Sequence, residues 1–286
     1  MDYLDDLENR SIFIIREAYK KFRNIALLWS IGKDSTTLLW LCRKAFYGKI
    51  PFPVVHIDTD HKFKEIYDFR NKYSKEWNLR LIIGKNEKAI EEGVCPSKGK
   101  LECCNKLKTE ALKMVINKHN YKALLIGIRR DEHGIRAKER YFSPRDQNFK
   151  WDYKNQPAEI WDQHKSQHDE DEHVRVHPLL HWTEKDIWEY MEREKIPVVD
   201  LYFAKEIKGK MMRYRSIGCE TCCSPIESSA DTVESVIEEL KNTKSNEREG
   251  RTQDKEKAYM MQKLRSLGYM AFFTLCFLWD GLIWIV

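Results

Sequence analysis

The sequence predicts an α/β protein built on a parallel sheet, and three observations carry that prediction. Short, unbroken apolar runs alternate with longer stretches of helical periodicity over residues 1–195. Such runs, apolar at successive positions rather than every second one, mark strands buried on both faces. Strands joined through helices in this way imply βαβ units, a parallel sheet and right-handed crossovers. The third observation is a short polar loop, Ser30–Thr36, set directly between the first apolar run and its helix.

The elements follow in order. Leu4, Leu7, Ile14, Ile15, Ala18 and Phe22 recur at helical spacing, predicting a helix over 4–22. Ile25–Trp29 reads as the first strand, and Thr36–Phe46 resumes helical periodicity through Leu38, Leu39, Leu41 and Cys42. Val54–Asp58 reads as the second strand, Phe63–Trp77 as a helix and Leu79–Ile83 as the third strand. Lys106–His119 then reads as a helix and Ala123–Ile128 as the fourth strand. Val174–Pro178 suits an edge strand, and Thr183 suits the N-cap of a helix through Ile187, Trp188 and Met191. Beyond residue 196 the alternation stops. A cysteine-containing loop, a helix near 232–241, a charged stretch at 244–257 and a helix near 258–267 complete the chain. The acidic run 169–172 reads as a solvated loop, and no internal repeat is found.

Composition bounds the function classes. The 286 residues suit one large or two modest domains, and 42% hydrophobic residues are enough to fill a core. Fifty Lys and Arg against forty-five Asp and Glu leave a net charge of +5, too balanced for a nucleic-acid binder. Residues 1–10 lack the basic and apolar regions of a leader, so the chain is expected in the cytoplasm with its eight cysteines reduced. Residues 271–286 carry Asp280 as their only charge, but they fall short of the ~20 apolar residues a span requires. That tail reads as a packing or oligomerisation segment rather than a membrane helix.

The polar loop is where chemistry is expected. In open parallel sheets ligands bind beyond the carboxyl ends of the strands, and a helix N-terminus there offers unpaired N–H groups to phosphate. Gly32 is expected to let the backbone approach closely, Lys33 to add a solvent-open point charge, Asp34 to cap, and Ser30 and Ser35 to donate hydroxyls. The spacing is neither a Walker A loop nor a dinucleotide fingerprint. Ile31 is β-branched, so a positive φ there is unfavourable.

Ser30-Ile31-Gly32-Lys33-Asp34-Ser35 after a buried strand resembles the pyrophosphate loop (PP-loop) of the N-type ATP pyrophosphatases. The likeness continues through Pro51-Phe52-Pro53, His56–Thr59, Gly127–Glu132, Lys138–Arg140, Phe142–Asp146, Trp182–Glu184 and Gly250-Arg251. Together these segments resemble the small-subunit (subunit 2) sulfate adenylyltransferase, or ATP sulfurylase, family, within the phosphoadenosine-phosphosulfate reductases. Many relatives carry a second glycine where this chain has Ile31, and the family usually lacks the tail after Met270. The resemblance implies an adenine-nucleotide alpha-hydrolase-like fold at 1–195, a site-covering segment at 196–270 and an apolar tail at 271–286. It implies adenylyl transfer from ATP to sulfate, with Mg2+, and a GTP-hydrolysing large subunit as partner.

That reaction brings anions together, so the site needs positive charge more than an acid or base. Residues 129–150 hold Arg129, Arg130, Arg136, Lys138, Arg140, Arg145 and Lys150 against four acids. Arg129 and Arg130, leaving the fourth strand, join Lys33 as expected catalytic residues, with Arg136, Arg140, Arg145 and Arg251 as sulfate or phosphate contacts. Lys138 and Lys150 read as solvated, Arg248 as part of the covering segment, and Asp58 as a nucleotide or Mg2+ ligand or a strand-end cap.

Cys103-Cys104 and Cys219-x-x-Cys222 form a thiol set of the kind related phosphosulfate reductases use for an iron–sulfur cluster, and four thiolates also suit zinc. Three alternatives therefore stand beside adenylyl transfer: a reductase-like enzyme with such a cluster, a non-catalytic nucleotide-binding subunit, and a sulfur-transfer ATPase acting on nucleic acid. Against the reductase, Cys276 lies in no Glu-Cys-Gly-Leu/Ile-His segment.

Overall fold

The computed structural model describes residues 2–132, 136–151, 156, 159, 173–243 and 247. The acidic run 169–172, Arg248, Arg251, the helix expected near 258–267, Cys276 and the apolar tail lie outside the described residues.

Helix α1 (Tyr3–Phe22) leads into β1 (Ile25–Leu28), α2 (Lys33–Ala45), β2 (Val54–Ile57), α3 (Lys64–Glu76) and β3 (Leu81–Gly84). Two short helices, α4 (Glu87–Glu91) and α5 (Lys100–Cys104), precede a π-helical turn at Asn105–Glu110 that runs directly into α6 (Ala111–His119). Then come β4 (Ala123–Ile126), β5 (Phe142–Arg145), β6 (His173–Val176) and α7 (Glu184–Glu194). The strands form one sheet in the order β3-β2-β1-β4-β6-β5, parallel except for β5, which runs antiparallel to β6.

Side-chain alternation explains why the runs had to be wholly apolar. Ile25, Leu27 and Val54 enter the core beneath α1, α2 and α7, whereas Ala26, Val55 and Leu124 enter the core beneath α6. Both faces are covered. The Thr183 N-cap forms as expected, accepting from the Asp186 N–H in a capping box.

Four elements differ from expectation. The strand expected at an edge, β6, lies inside the sheet, paired with β4 on one side and β5 on the other. Helix α2 starts at Lys33, so Lys33, Asp34 and Ser35 form its first turn. Strand β5 was legible only as a motif; it contains Pro144, which an edge strand tolerates because one side of its ladder is unpaired. The covering segment holds a second small sheet, β7 (Lys205–Ile207), β8 (Lys210–Arg213) and β9 (Ile226–Glu227), and then α8 (Val233–Asn242). Lys208 and Gly209 turn between β7 and β8 with φ of 53° and 77°, the signature of a tight hairpin.

Strand order sets the site. The chain moves outward from β1 to β2 and β3, then returns to place β4 on the other side of β1. The loops after β1 and β4 therefore diverge at a topological switch point and leave a crevice between them. Among the described residues no helix is long and apolar enough to cross a membrane.

Candidate active site

A cavity of about 240 Å3 opens at that switch point. The loop contributes Ser30, Gly32, Asp34 and Ser35 to its wall, β4 contributes Gly127 and Ile128, and the covering segment contributes Tyr202, Ser216–Cys219 and Glu247. Gly127 is required by close approach. A Cβ there would stand 2.9 Å from the Asp34 carbonyl oxygen and 3.1 Å from the Ser35 nitrogen, both backbone.

The left-handed turn of the loop falls on Ile31, at φ 69°, while Gly32 has φ −73°. The positive φ that is unfavourable for a β-branched residue thus falls on Ile31 itself, which bears that cost with its side chain 1% exposed in the core. Beyond it the Ser30 and Ser35 hydroxyls lie 3.0 Å apart, and Ser35 Oγ donates to the Gly32 carbonyl. The Lys33 N–H, one of the unpaired donors of α2, is met by Tyr202 Oη at 3.0 Å.

Lys33 is fully buried, which corrects the reading of it as a solvent-open point charge. Its Nζ donates to Glu247 Oε1 at 2.5 Å and lies 3.5 Å from Asp34 and 3.8 Å from Glu184. Arg129 is equally buried and contacts Asp34, Asp131 Oδ1 at 2.9 Å and Glu247 Oε2 at 2.5 Å. Burial disfavours the Arg129 charge, but Glu247, Asp131 and Glu132 outweigh it and hold its pKa above the usual value. Burial likewise raises the Glu247 pKa, but Lys33 and Arg129 pull it down to about 2. One carboxylate, Glu247, thus sits between the cation of the loop and the cation that follows β4. Arg215 braces the network by clasping Glu184 at 2.7–3.2 Å.

The chain compares closely with proteins of one kind. A family model of the phosphoadenosine phosphosulfate reductase domain matches residues 24–225. Sulfate adenylyltransferase subunit 2 of Aeromonas salmonicida is 42% identical over 94% of this chain and 96% of its own. The same subunit of Saccharophagus degradans is 41% identical over 94% and 98%. This chain belongs to the sulfate adenylyltransferase subunit 2 family. Solved structures agree on the fold alone. A phosphoadenylyl-sulfate reductase from Candida auris gives a TM-score of 0.53 at 18% identity, covering 78% of this chain and 98% of that one. FMN adenylyltransferase from Candida glabrata gives 0.52 at 21% identity, covering 87% of each.

In this member of the family the expected basic residues part company. Arg136 lines the cavity and is paired with Glu132. Arg130 and Arg140 instead line a separate cavity with Arg10, Tyr141, Glu159 and His181, and Arg130 lies 5.2 Å over the Tyr141 ring. Arg145 is buried on β5, donating to Glu139, to Ser143 and to the Pro144 carbonyl, and does not line the cavity. Lys138 and Lys150 are exposed, as expected. Asp58 accepts from Tyr67 Oη, Arg70 and the Asp60 N–H and so organises the end of β2 instead of reaching the cavity.

The thiols meet. Burial pushes Cys103 up to about 12, and Cys104, Cys219, Cys222 and Cys95 each add to that rise, which places the two cysteine pairs in one neighbourhood. Cys219 also lines the cavity, 3.2 Å from Thr59 Oγ1. Yet among the described residues no three His, Cys, Asp or Glu side chains are set to hold a metal ion.

Among the cavity residues not foreseen are Lys62, Lys108, Tyr202 and Glu247. Lys62 carried a signal, since it follows β2 at the same carboxyl edge as the loop. Glu247 lies among arginines, where only the positive charges drew attention, and Tyr202 has no local signature.

Proposed function

We propose that the chain transfers the adenylyl group of ATP to inorganic sulfate, giving adenosine 5′-phosphosulfate and pyrophosphate. The observation that carries this reading is the buried Lys33–Arg129 cation pair at the PP-loop, in a chain of this family. A sulfate oxygen attacks the α-phosphorus as the bond from that phosphorus to the α,β-bridging oxygen breaks, and the electron pair leaves on pyrophosphate. Sulfate is already a dianion at neutral pH, so no proton is moved and no general base is needed.

The residues of the chain position and neutralise. The α2 N-terminus with Ser30 and Ser35 receives phosphate oxygens, and Lys33 and Arg129 offset the charge that gathers on the departing pyrophosphate. Glu247 neutralises these two cations in the ATP-free molecule, and the triphosphate takes its place. Mg2+ would enter on the ATP phosphates, with Asp34 the carboxylate of the loop nearest to it, and would neutralise phosphate charge. Arg251 of the covering segment would add a further phosphate contact. The product is a high-energy mixed anhydride, so the reaction runs uphill. A GTP-hydrolysing large subunit is the partner that would drive it, in keeping with the subunit naming of the relatives.

Formation of ATP from adenosine phosphosulfate and pyrophosphate tests the reading in its favourable direction, and its absence from the chain with its large subunit overturns it. One observation favours a second, reductase-like reading: Cys219 reaches the cavity wall beside three further thiols. Sulfite release from adenosine phosphosulfate with a dithiol reductant would establish that reading instead.

A further inference from the structure

Sulfate needs cations of its own, and those of the PP-loop are already committed. Lys33 and Arg129 are claimed by carboxylates and, in the reading above, by the triphosphate. Of the other cations on the cavity wall, Arg136 is paired with Glu132, and Arg175 faces Glu139 and lowers its pKa. Two lysines remain. Neither Lys62 nor Lys108 has a carboxylate within 4 Å among the described residues, and both line the cavity.

Their settings differ from those of surface lysines. Lys62 follows β2 and is held by a backbone bridge to Cys219. Its Nζ lies 3.1 Å from His56 Nε2. His56 is fully buried, and burial lowers its pKa to about 3, so the ring is neutral. Its Nδ1, 2.9 Å from the Trp29 carbonyl, must be the protonated nitrogen, which leaves Nε2 to accept from the Lys62 ammonium. The ammonium is thus aimed by a neutral acceptor, and its charge is left for a ligand. Lys108 stands on the π-helical turn ahead of α6, beside Thr109, which also lines the wall. Such turns re-aim side chains and recur at functional sites. The two ammoniums are close enough that Lys108 lowers the Lys62 pKa. Two like charges facing one cavity repel each other, and an anion between them would relieve that repulsion.

We propose that Lys62 and Lys108 form the subsite for the attacking tetrahedral dianion, inorganic sulfate, with His56 as the positioning residue for Lys62. This rests on the adenylyl-transfer reading and deepens it. Thr59 and Thr109 line the same wall.

The test uses the full chain with its large subunit and two probes, inorganic sulfate and ATP. Lys62→Gln and Lys108→Gln should each raise the KM for sulfate about 10- to 100-fold, the worth of one charged hydrogen bond, and move the KM for ATP by no more than about twofold. Sulfate KM should also rise above pH 8. Burial pulls Lys62 down to about 8 against Cys219 and Asp58, with Lys108 and Arg70 reinforcing the fall, so its ammonium loses its proton there. Lys62→Arg stays charged and should flatten that rise. His56→Gln should shift the pH at which the rise begins, which a merely structural loss would not do. An unchanged sulfate KM in both glutamine variants, in an enzyme that still makes product, overturns the subsite and leaves the activity standing. If the wild type makes no product, protection against thermal unfolding by sulfate, lost in Lys62→Gln, still supports the subsite, and protection unaffected by the substitution overturns it.

Discussion

At Lys33 charge and packing cannot be separated. Its ammonium is buried among Asp34, Glu184 and Glu247, so Lys33→Ala strands carboxylates in a low-dielectric setting. Lys33→Ala should abolish turnover and also cost about 3–5 kcal/mol of stability, the usual penalty for breaking a buried ion pair. Chemical denaturation of the variant checks this, and an unchanged midpoint would return Lys33 to a purely catalytic account. Two neighbours invert the usual expectation about glycine. Gly32 has an ordinary φ, and a Cβ there would meet Tyr202 Oη at 3.4 Å, so Gly32→Ala should fold normally and lose ATP affinity. Ile31→Gly relieves a left-handed residue worth about 1–2 kcal/mol but deletes a buried side chain worth about 2–5 kcal/mol, so it should be less stable, as thermal melting would show. The loop was legible as a site wall from its residue types, and it does line the cavity. Which residue takes the left-handed turn was not, because that depends on how the Ile31 side chain packs in the core.

At the scale of elements the sequence spoke through periodicity and was silent where periodicity fails. Strands β1, β2 and β4 were legible because they are buried on both faces, which leaves no polar position to blur them. Strand β5 escaped because Phe142-Ser143-Pro144-Arg145 is too polar to read as a strand; its Arg145 is buried because it donates to Glu139, to Ser143 and to the Pro144 carbonyl. The small sheet β7–β9 escaped for a similar reason, since its strands are two to four residues long. The contact between β4 and the start of α2 is likewise invisible in one dimension. It yields a prediction: Gly127→Ala should separate the β4 loop from the first turn of α2, because the opposing atoms are backbone and cannot swing away. ATP affinity should fall, with a smaller loss of stability, measurable by calorimetric titration beside a melting curve. From beyond residue 196, Glu247 pairs with both Lys33 and Arg129. Glu247→Gln should loosen the ATP-free molecule, since a neutral amide compensates Lys33 and Arg129 poorly. It should also bind pyrophosphate more tightly than the wild type, since no anion is left to displace; weaker binding would refute that role.

Across the whole molecule, buried histidines join the sheet to the site and make stability depend on pH. His56 lies one residue before the end of β2 with its ring against Lys62, His173 opens β6, and His177 follows β6 on the cavity wall. Burial is the leading cause in each, lowering His56 and His173 to about 3 and His177 to about 4 from an ordinary 6.5. A base whose folded pKa is depressed is protonated first in the unfolded chain. Below pH 6.5 the unfolded state therefore binds more protons than the folded one, and stability falls as pH falls. Glu247 adds in the same direction at lower pH. Its carboxyl is depressed to about 2, so its stabilisation is full above about 4.5 and drains away as pH drops toward 2. Between about pH 6 and 4 each histidine contributes a slope of about 1.4 kcal/mol per pH unit, so three together approach the whole stability of an ordinary domain within about two to three units. Cooperative acid unfolding near pH 4–5 with uptake of about three protons is the expected outcome. His173→Leu isolates one of them, because His173 lies away from the cavity wall and its Nδ1 reaches only the Tyr121 carbonyl. Guanidinium titrations at a series of pH values should give His173→Leu a slope lower by about one proton whatever its stability at pH 7. An unchanged slope would mean that His173 takes up its proton in the folded protein, and that burial on β6 does not hold it neutral.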